Sequence, residues 1–166
     1  MNVSMRYSTF MPMLSEAMAR THGDVLELGA GVFSTPLLHW LCEKQKRNLL
    51  TIESDRKWYF FTRQYLRSEY HKFLYVVNWD DAEKHINKEW DVVLIDHSPS
   101  GRRVTEIRKL ANLAKYLVIH DSDPWKEREY HYSQIYPLFK YRFDFTLTDH
   151  QTVVLSNFFP LENFWI

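Results

Sequence analysis

At 166 residues the chain fits a single domain, residues 1–166, and its 45% hydrophobic and 16% aromatic content with 4 glycines and 6 prolines is that of a packed core, not of a disordered or repeating chain. Lys+Arg and Asp+Glu both number 21, so no global field draws the chain to nucleic acid, which is unsupported as a partner, or to an anionic membrane. No apolar stretch reaches the roughly 18 residues of a membrane span and Met1 to Met13 lacks a leader pattern, so a cytoplasmic location is expected, with the single cysteine, Cys42, an inert core thiol.

Residues 1–22 hold an N-terminal segment and a short helix, Met11 to Arg20, apolar at Met11, Leu14 and Met18. Val25 to Leu28 is an apolar run that surrounds Glu27 and leads to Gly29 and Gly31. Ser34 or Thr35 can then cap a helix with Pro36 in its first turn, which reads as strand, tight turn, helix. Leu49 to Ile52 is a second strand, and it ends in Glu53, 22 residues beyond Gly31. That spacing suits a βαβ unit whose acid accepts from ribose hydroxyls. A dinucleotide site wants a third glycine, whereas Val32, Phe33 and Ser34 stand here. Bulk and the acid Glu27 suit a cationic amino-acid ligand better.

The helix after Ser54 or Asp55 carries Trp58, Phe61 and Tyr65 at core spacing, with Arg56, Lys57, Arg63 and Arg67 on a solvated face. Phe73 to Val77 is a third strand, closed by Asn78 to Asp81. Asp80 or Asp81 there either caps a helix to His85 or meets a ligand. Asp91 to Ile95 reads as a central parallel strand and Tyr116 to Ile119 as the fifth, with a helix Val104 to Ala114 between them. The fourth strand ends in Asp96-His97 and the fifth in His120-Asp121. A tyrosine-rich helix, Glu127 to Tyr136, precedes an antiparallel pair, Tyr141 to Thr148 and Thr152 to Leu155. The aromatic tail, residues 157–166, can cover a sheet edge or meet a second subunit, so a homo-oligomer is possible.

Strands alternating with helices give an α/β, doubly wound, mostly parallel sheet with helices on both faces and a closing antiparallel hairpin. Ligands bind such sheets beyond the strand carboxyl ends, where Glu27, Glu53, Asp80, Asp96, His97, His120 and Asp121 gather. Neutral imidazole is basic near pH 7, so His97 and His120 are candidates to take a proton. Arg102 and Arg103 either clamp an acceptor's carboxylate or phosphate or are simply exposed.

The motif Glu27-x-Gly29-x-Gly31-x-x-Ser34, followed by Glu53, resembles the first two motifs of the class I S-adenosylmethionine-dependent methyltransferases, and the resemblance runs from about residue 20 to 156. It implies a Rossmann-like seven-stranded sheet in the order 3-2-1-4-5-7-6, with S-adenosylmethionine as cofactor held by Glu27, Gly29, Gly31, Ser34 and Glu53. It also implies that Trp79 packs on adenine, that Asp80 accepts from its amino group, and that Tyr7 to Thr9 fold over the ligand. Asp96 lies near the methyl group. Asp96 and Asp121 resemble the Mg2+ ligands of catechol-type enzymes, but the third ligand falls on Ser122, so metal-free catalysis is preferred. Asp96-His97-Ser98-Pro99 lacks the Pro-Pro-aromatic motif of amino-methylating DNA enzymes. The expected activity is O-methylation of a small polar or sugar-like acceptor. The alternatives are a non-catalytic S-adenosylmethionine-binding protein, an NAD-binding oxidoreductase, and aminopropyl transfer on the same fold.

Overall fold

The computed structural model describes residues 4–64 and 67–165. Seven strands form one sheet: β1 (Val25–Leu28), β2 (Leu49–Glu53), β3 (His71–Tyr75), β4 (Trp90–Ile95), β5 (Ala114–His120), β6 (Tyr141–Phe145) and β7 (Thr152–Ser156). Their order is β3-β2-β1-β4-β5-β7-β6, the expected one. The first five strands run parallel, and β7 pairs antiparallel with both β5 and β6. Strand order reverses between β1 and β4, so the crevice above their carboxyl ends is where such a sheet takes a ligand.

Among the described residues six α-helices flank the sheet: α1 (Met11–Ala19), α2 (Ser34–Gln45), α3 (Arg56–Arg63), α4 (Glu83–Ile86), α5 (Arg103–Leu110) and α6 (Glu127–Tyr130). Every residue of β1 and β4 is buried, as a central strand covered on both faces requires. Alternate residues serve two separate cores. Leu26, Leu28, Val93, Ile95 and Leu117 pack with Ile107 and Leu110 of α5, while Val25, Val92, Leu94 and Val118 pack with Met13, Leu14 and Met18 of α1 and Leu38 of α2. Cys42 lies wholly within the second core, where burial pushes its thiol up to about 12.

Several boundaries differ from the periodicity reading. The expected helix to Ala114 stops at Leu110, because Ala114 is already paired with Trp90 as the first residue of β5. The expected helix Glu127 to Tyr136 breaks after Tyr130, where His131 takes a left-handed φ of 57°, and continues as two 3-10 turns. On α3 only Thr62 is buried, so Trp58 and Phe61 are half-exposed and not core; Tyr65 lies outside the described residues. The tail meets the edge strand β6, Phe164 lying 6.0 Å from Phe143 and Trp165 5.7 Å from Phe145 between ring centroids. Leu161 and Phe164 plug the α1 face, and Phe158, Phe159 and Trp165 stay largely exposed. No helix among the described residues is long and apolar enough to cross a membrane.

Candidate active site

The turn after β1 is built around Gly29. It holds a φ of 96°, and a Cβ there would lie 2.5 Å from the carbonyl oxygen of Asp96 at the end of β4. Only glycine lets the two strand ends close on each other in this way. The next amide, Ala30 N, donates to Glu53 Oε2 at 2.7 Å, and the amides of Ser54 and Asp55 donate to Glu53 Oε1, each at 2.6 Å. Burial raises the Glu53 pKa even against these three backbone donors. The carboxylate therefore clamps the ends of β1 and β2, lines the crevice and keeps one acceptor position, on Oε2, unused by these amides.

Glu27 sits beneath the turn, fully buried. It accepts from Thr35 Oγ1 at 3.0 Å and from Thr51 Oγ1 at 2.6 Å. Burial pushes its pKa up to about 7, against donation from Ser34, Thr51 and Thr35. Gly31 N donates to Thr35 Oγ1 at 2.9 Å, so the acid supports the turn from below and does not line the crevice.

The crevice is a cavity of about 430 Å³, within the size range of small-ligand sites. Ala30, Gly31, Ser34, Glu53, Asp55 and Trp58 line one end. Asp96, His120, Asp121, Lys126, Tyr130 and His150 line the other, with Tyr7 and Phe10 of the N-terminal segment beside them.

At that second end His120 Nδ1 lies 3.2 Å from Asp96 Oδ1, and His120 Nε2 lies 2.9 Å from the Thr9 hydroxyl. An ionised carboxylate only accepts, so Nδ1 carries the hydrogen and Nε2 presents a lone pair to the hydroxyl. Arg103, read from sequence as exposed or as an acceptor clamp, is instead 3% exposed and braces this pair. Its guanidinium donates to Asp96 Oδ1 at 3.0 Å, to the His97 carbonyl at 2.7 Å and to the His120 carbonyl at 3.1 Å. Burial opposes its charge, but Tyr132, Asp96 and Tyr130 hold its pKa above the usual value.

Three residues expected in the site stand elsewhere. His97 is 1% exposed, packs on Trp79 with ring centroids 4.1 Å apart, and meets Glu106 Oε2 at 3.3 Å. Burial lowers its pKa, so it is a neutral core histidine turned away from the cavity. Trp79 is itself buried and donates to the Ser98 carbonyl at 2.7 Å. Asp80 is exposed and pairs with Arg102 at 2.7 Å. Neither lines the cavity.

Asp121 does line it, in a left-handed conformation with φ 60°, but its carboxylate is already engaged by Lys126, by His150 Nδ1 at 2.8 Å and by Tyr130 Oη at 3.0 Å. Burial opposes its charge, yet His120, Lys126 and His150 hold it well below the usual carboxylate range. An aspartate neutralised by a lysine of its own chain does not fit the pair expected for Mg2+, which needs free hard oxygens. Periodicity concealed Trp58, whose spacing was that of core. Lys126, Tyr130 and His150 had no motif at all, because only folding brings the β6–β7 turn beside the end of β5.

No protein-family model matches the sequence, and no curated protein does. Solved structures match in fold. The O-methyltransferase TomG from Streptomyces achromogenes, involved in tomaymycin synthesis and crystallised with S-adenosylmethionine, is 16% identical; the match covers 93% of this chain and 81% of that one, with a TM-score of 0.67. An O-methyltransferase from Bacillus cereus in complex with S-adenosylhomocysteine is 14% identical over 93% and 82% of the two chains, with a TM-score of 0.65. Spermidine synthase from Thermotoga maritima is 11% identical over 96% of this chain but 62% of that one, with a TM-score of 0.69. The fold is thus the Rossmann-like one of the class I methyltransferases.

Proposed function

We propose that this chain is an S-adenosylmethionine-dependent methyltransferase that methylates a hydroxyl group on a small polar or sugar-like acceptor. One observation carries the acceptor chemistry: His120, which lines the cavity and is backed by Asp96, has a hydroxyl, that of Thr9, 2.9 Å from its Nε2. The cofactor end is supported by the turn at Gly29 and by Glu53, whose remaining acceptor position suits a ribose hydroxyl. Trp58, rather than Trp79, is the aromatic side chain within reach of a bound adenine.

The cofactor supplies a methyl group on a positively charged sulfur, already activated. The chain therefore has to align the acceptor and take its proton. His120 Nε2 takes that proton. Asp96 holds Nδ1–H, fixes the ring and balances the charge that forms on it, while Arg103 keeps Asp96 in place. Thr9 occupies the position of the acceptor hydroxyl, so the N-terminal segment gives way when the acceptor enters.

Aminopropyl transfer stays a second reading because spermidine synthase shares the fold. Product mass separates it, and an NAD oxidoreductase or a non-catalytic binder is separated by binding and turnover. The test is calorimetry with S-adenosylhomocysteine and with NAD, followed by incubation with methyl-labelled S-adenosylmethionine and a panel of polyols and sugars. Tight binding of the homocysteine compound and label on an acceptor oxygen support the reading. Binding of NAD alone, or label on no acceptor with the donor bound, overturns it.

A further inference from the structure

A polar seam crosses the apolar α2 face of the sheet. Glu27 on β1 and Thr51 on β2 are register partners, and His71 on β3 sits on the same face, opposite Leu49. Thr51 Oγ1 donates to Glu27 Oε2 at 2.6 Å and lies 2.8 Å from His71 Nε2; His71 Nδ1 lies 3.1 Å from Nδ1 of His39 on α2. All four are buried, from 0% to 8% exposed, and Phe73 stacks on His71 at 4.1 Å. The far end lies beside Trp40, which is 65% exposed.

A hydroxyl has one hydrogen, so the chain has only two consistent directions. With Glu27 ionised, Thr51 donates to it, His71 Nε2–H donates to Thr51, and His39 Nδ1–H donates to His71. With Glu27 protonated, every donor reverses, and the hydrogen on His39 moves to Nε2. The two states differ by one proton, gained at His39 and delivered to Glu27 without Glu27 meeting water.

We propose that Thr51 and His71 are positioning residues for the turn after β1: they connect Glu27 to a proton source at the sheet edge, and proton uptake there removes the negative charge beneath the turn and weakens binding of a ligand that carries an ammonium group. The ligand half rests on the donor assignment made above. Thr35 transmits the change, because its hydroxyl donates to Glu27 and accepts from Gly31 N, which lines the cavity.

The charged and titratable neighbours act in consistent directions. Glu53 on β2 adds to the cost of ionising Glu27, and burial sets Glu27 near neutrality, at about 7. Burial holds the His39 pKa below its ordinary value against the pull of Glu43 on α2, and burial and His39 hold His71 down to about 3, so His71 passes a proton without keeping one. The thiol of Cys42, also on α2, stays protonated, and β4 offers Glu27 only the apolar partner Leu94.

The test has two readouts. Carbon-13 resonances of glutamate carboxyls, assigned with Glu27→Gln, follow the ionisation of Glu27 in the ligand-free protein. Calorimetry with S-adenosylhomocysteine follows affinity across the same pH range. Thr51→Val should raise the Glu27 midpoint by about one unit and His71→Phe by about half a unit, because each removes a donor that favours the carboxylate. Affinity should rise about tenfold through the wild-type midpoint, and its pH profile should move with the midpoint in each variant. His71→Gln, which keeps an N–H for Thr51, should restore both. Unmoved midpoints in Thr51→Val and His71→Phe overturn the relay. Absence of homocysteine-compound binding at every pH overturns the donor assignment and the ligand half together, and the carboxyl titration then decides the relay alone.

Discussion

His97 and His120 stand at the carboxyl ends of adjacent parallel strands. Both are at most 2% exposed, and each has a carboxylate oxygen just over 3 Å from one ring nitrogen. In the sequence the two are indistinguishable: each follows an apolar strand and touches an aspartate. In the fold they part completely. His97 turns toward α5, where Glu106 and Trp79 enclose it, and His120 turns toward the cavity, where a hydroxyl meets its second nitrogen. The difference teaches that a titratable group at a strand end becomes chemically useful only when its ring borders the cavity, with one nitrogen fixed by a carboxylate and the other meeting a hydroxyl that an acceptor can replace.

Substitution separates the pair. His120→Ala should lower turnover by about 10² to 10⁴, with Kd for S-adenosylhomocysteine nearly unchanged. His97→Ala should leave turnover per folded molecule intact. Equal rate losses in the two variants would erase the distinction. The next largest effect concerns stability and pH. Because folding raises the Glu27 pKa from 4.5 to about 7, its contribution is present in full below pH 4.5 and lost as pH rises through about 7. That amounts to about 3 kcal/mol. His71, lowered from 6.5 to about 3, contributes in the opposite sense, its share being lost as pH falls below 6.5. Denaturation of the ligand-free protein should show the two contributions offsetting each other from about pH 4.5 to 6.5 and a small fall in stability from about 6.5 to 7, flat beyond; Glu27→Gln should abolish that fall and leave a net rise below about 6.5. A fall that persists in Glu27→Gln belongs to other groups.

His97→Ala should cost about 2 kcal/mol of folding stability, from the vacated volume against Trp79 and the weakened satisfaction of Glu106. Its neutral ring also makes stability fall as pH drops below its unfolded value of 6.5, and the variant should lose part of that dependence. The smallest effect is expected at Asp80, exposed and paired with Arg102 at 2.7 Å. Asp80→Ala should change neither Tm nor Kd for S-adenosylhomocysteine measurably, whereas Glu53→Ala should weaken that binding strongly. A large affinity loss at Asp80 would restore it to the adenine end.

The alternation of short apolar runs with helical stretches was enough for the class of fold, and the motif from Glu27 to Ser34 with Glu53 located the turn around which the cavity forms. Those features are local: a glycine that must turn, an acid that must follow a strand, and buried strands that must be apolar throughout. Gly29 is the clearest case, since its φ of 96° is a requirement of its own backbone. The strand order was legible only through resemblance to a family. What tertiary structure alone decided is direction and company. It turned His97 inward and His120 outward, drew Arg103 out of solvent to brace Asp96, put Lys126 and His150 on Asp121, and lined Glu27, Thr51, His71 and His39 into one chain across three strands. Side-chain direction at a strand end depends on the loop that follows and on the helix packed above it, and partners that are distant in the chain meet only after the sheet has closed. No sequence period encodes either.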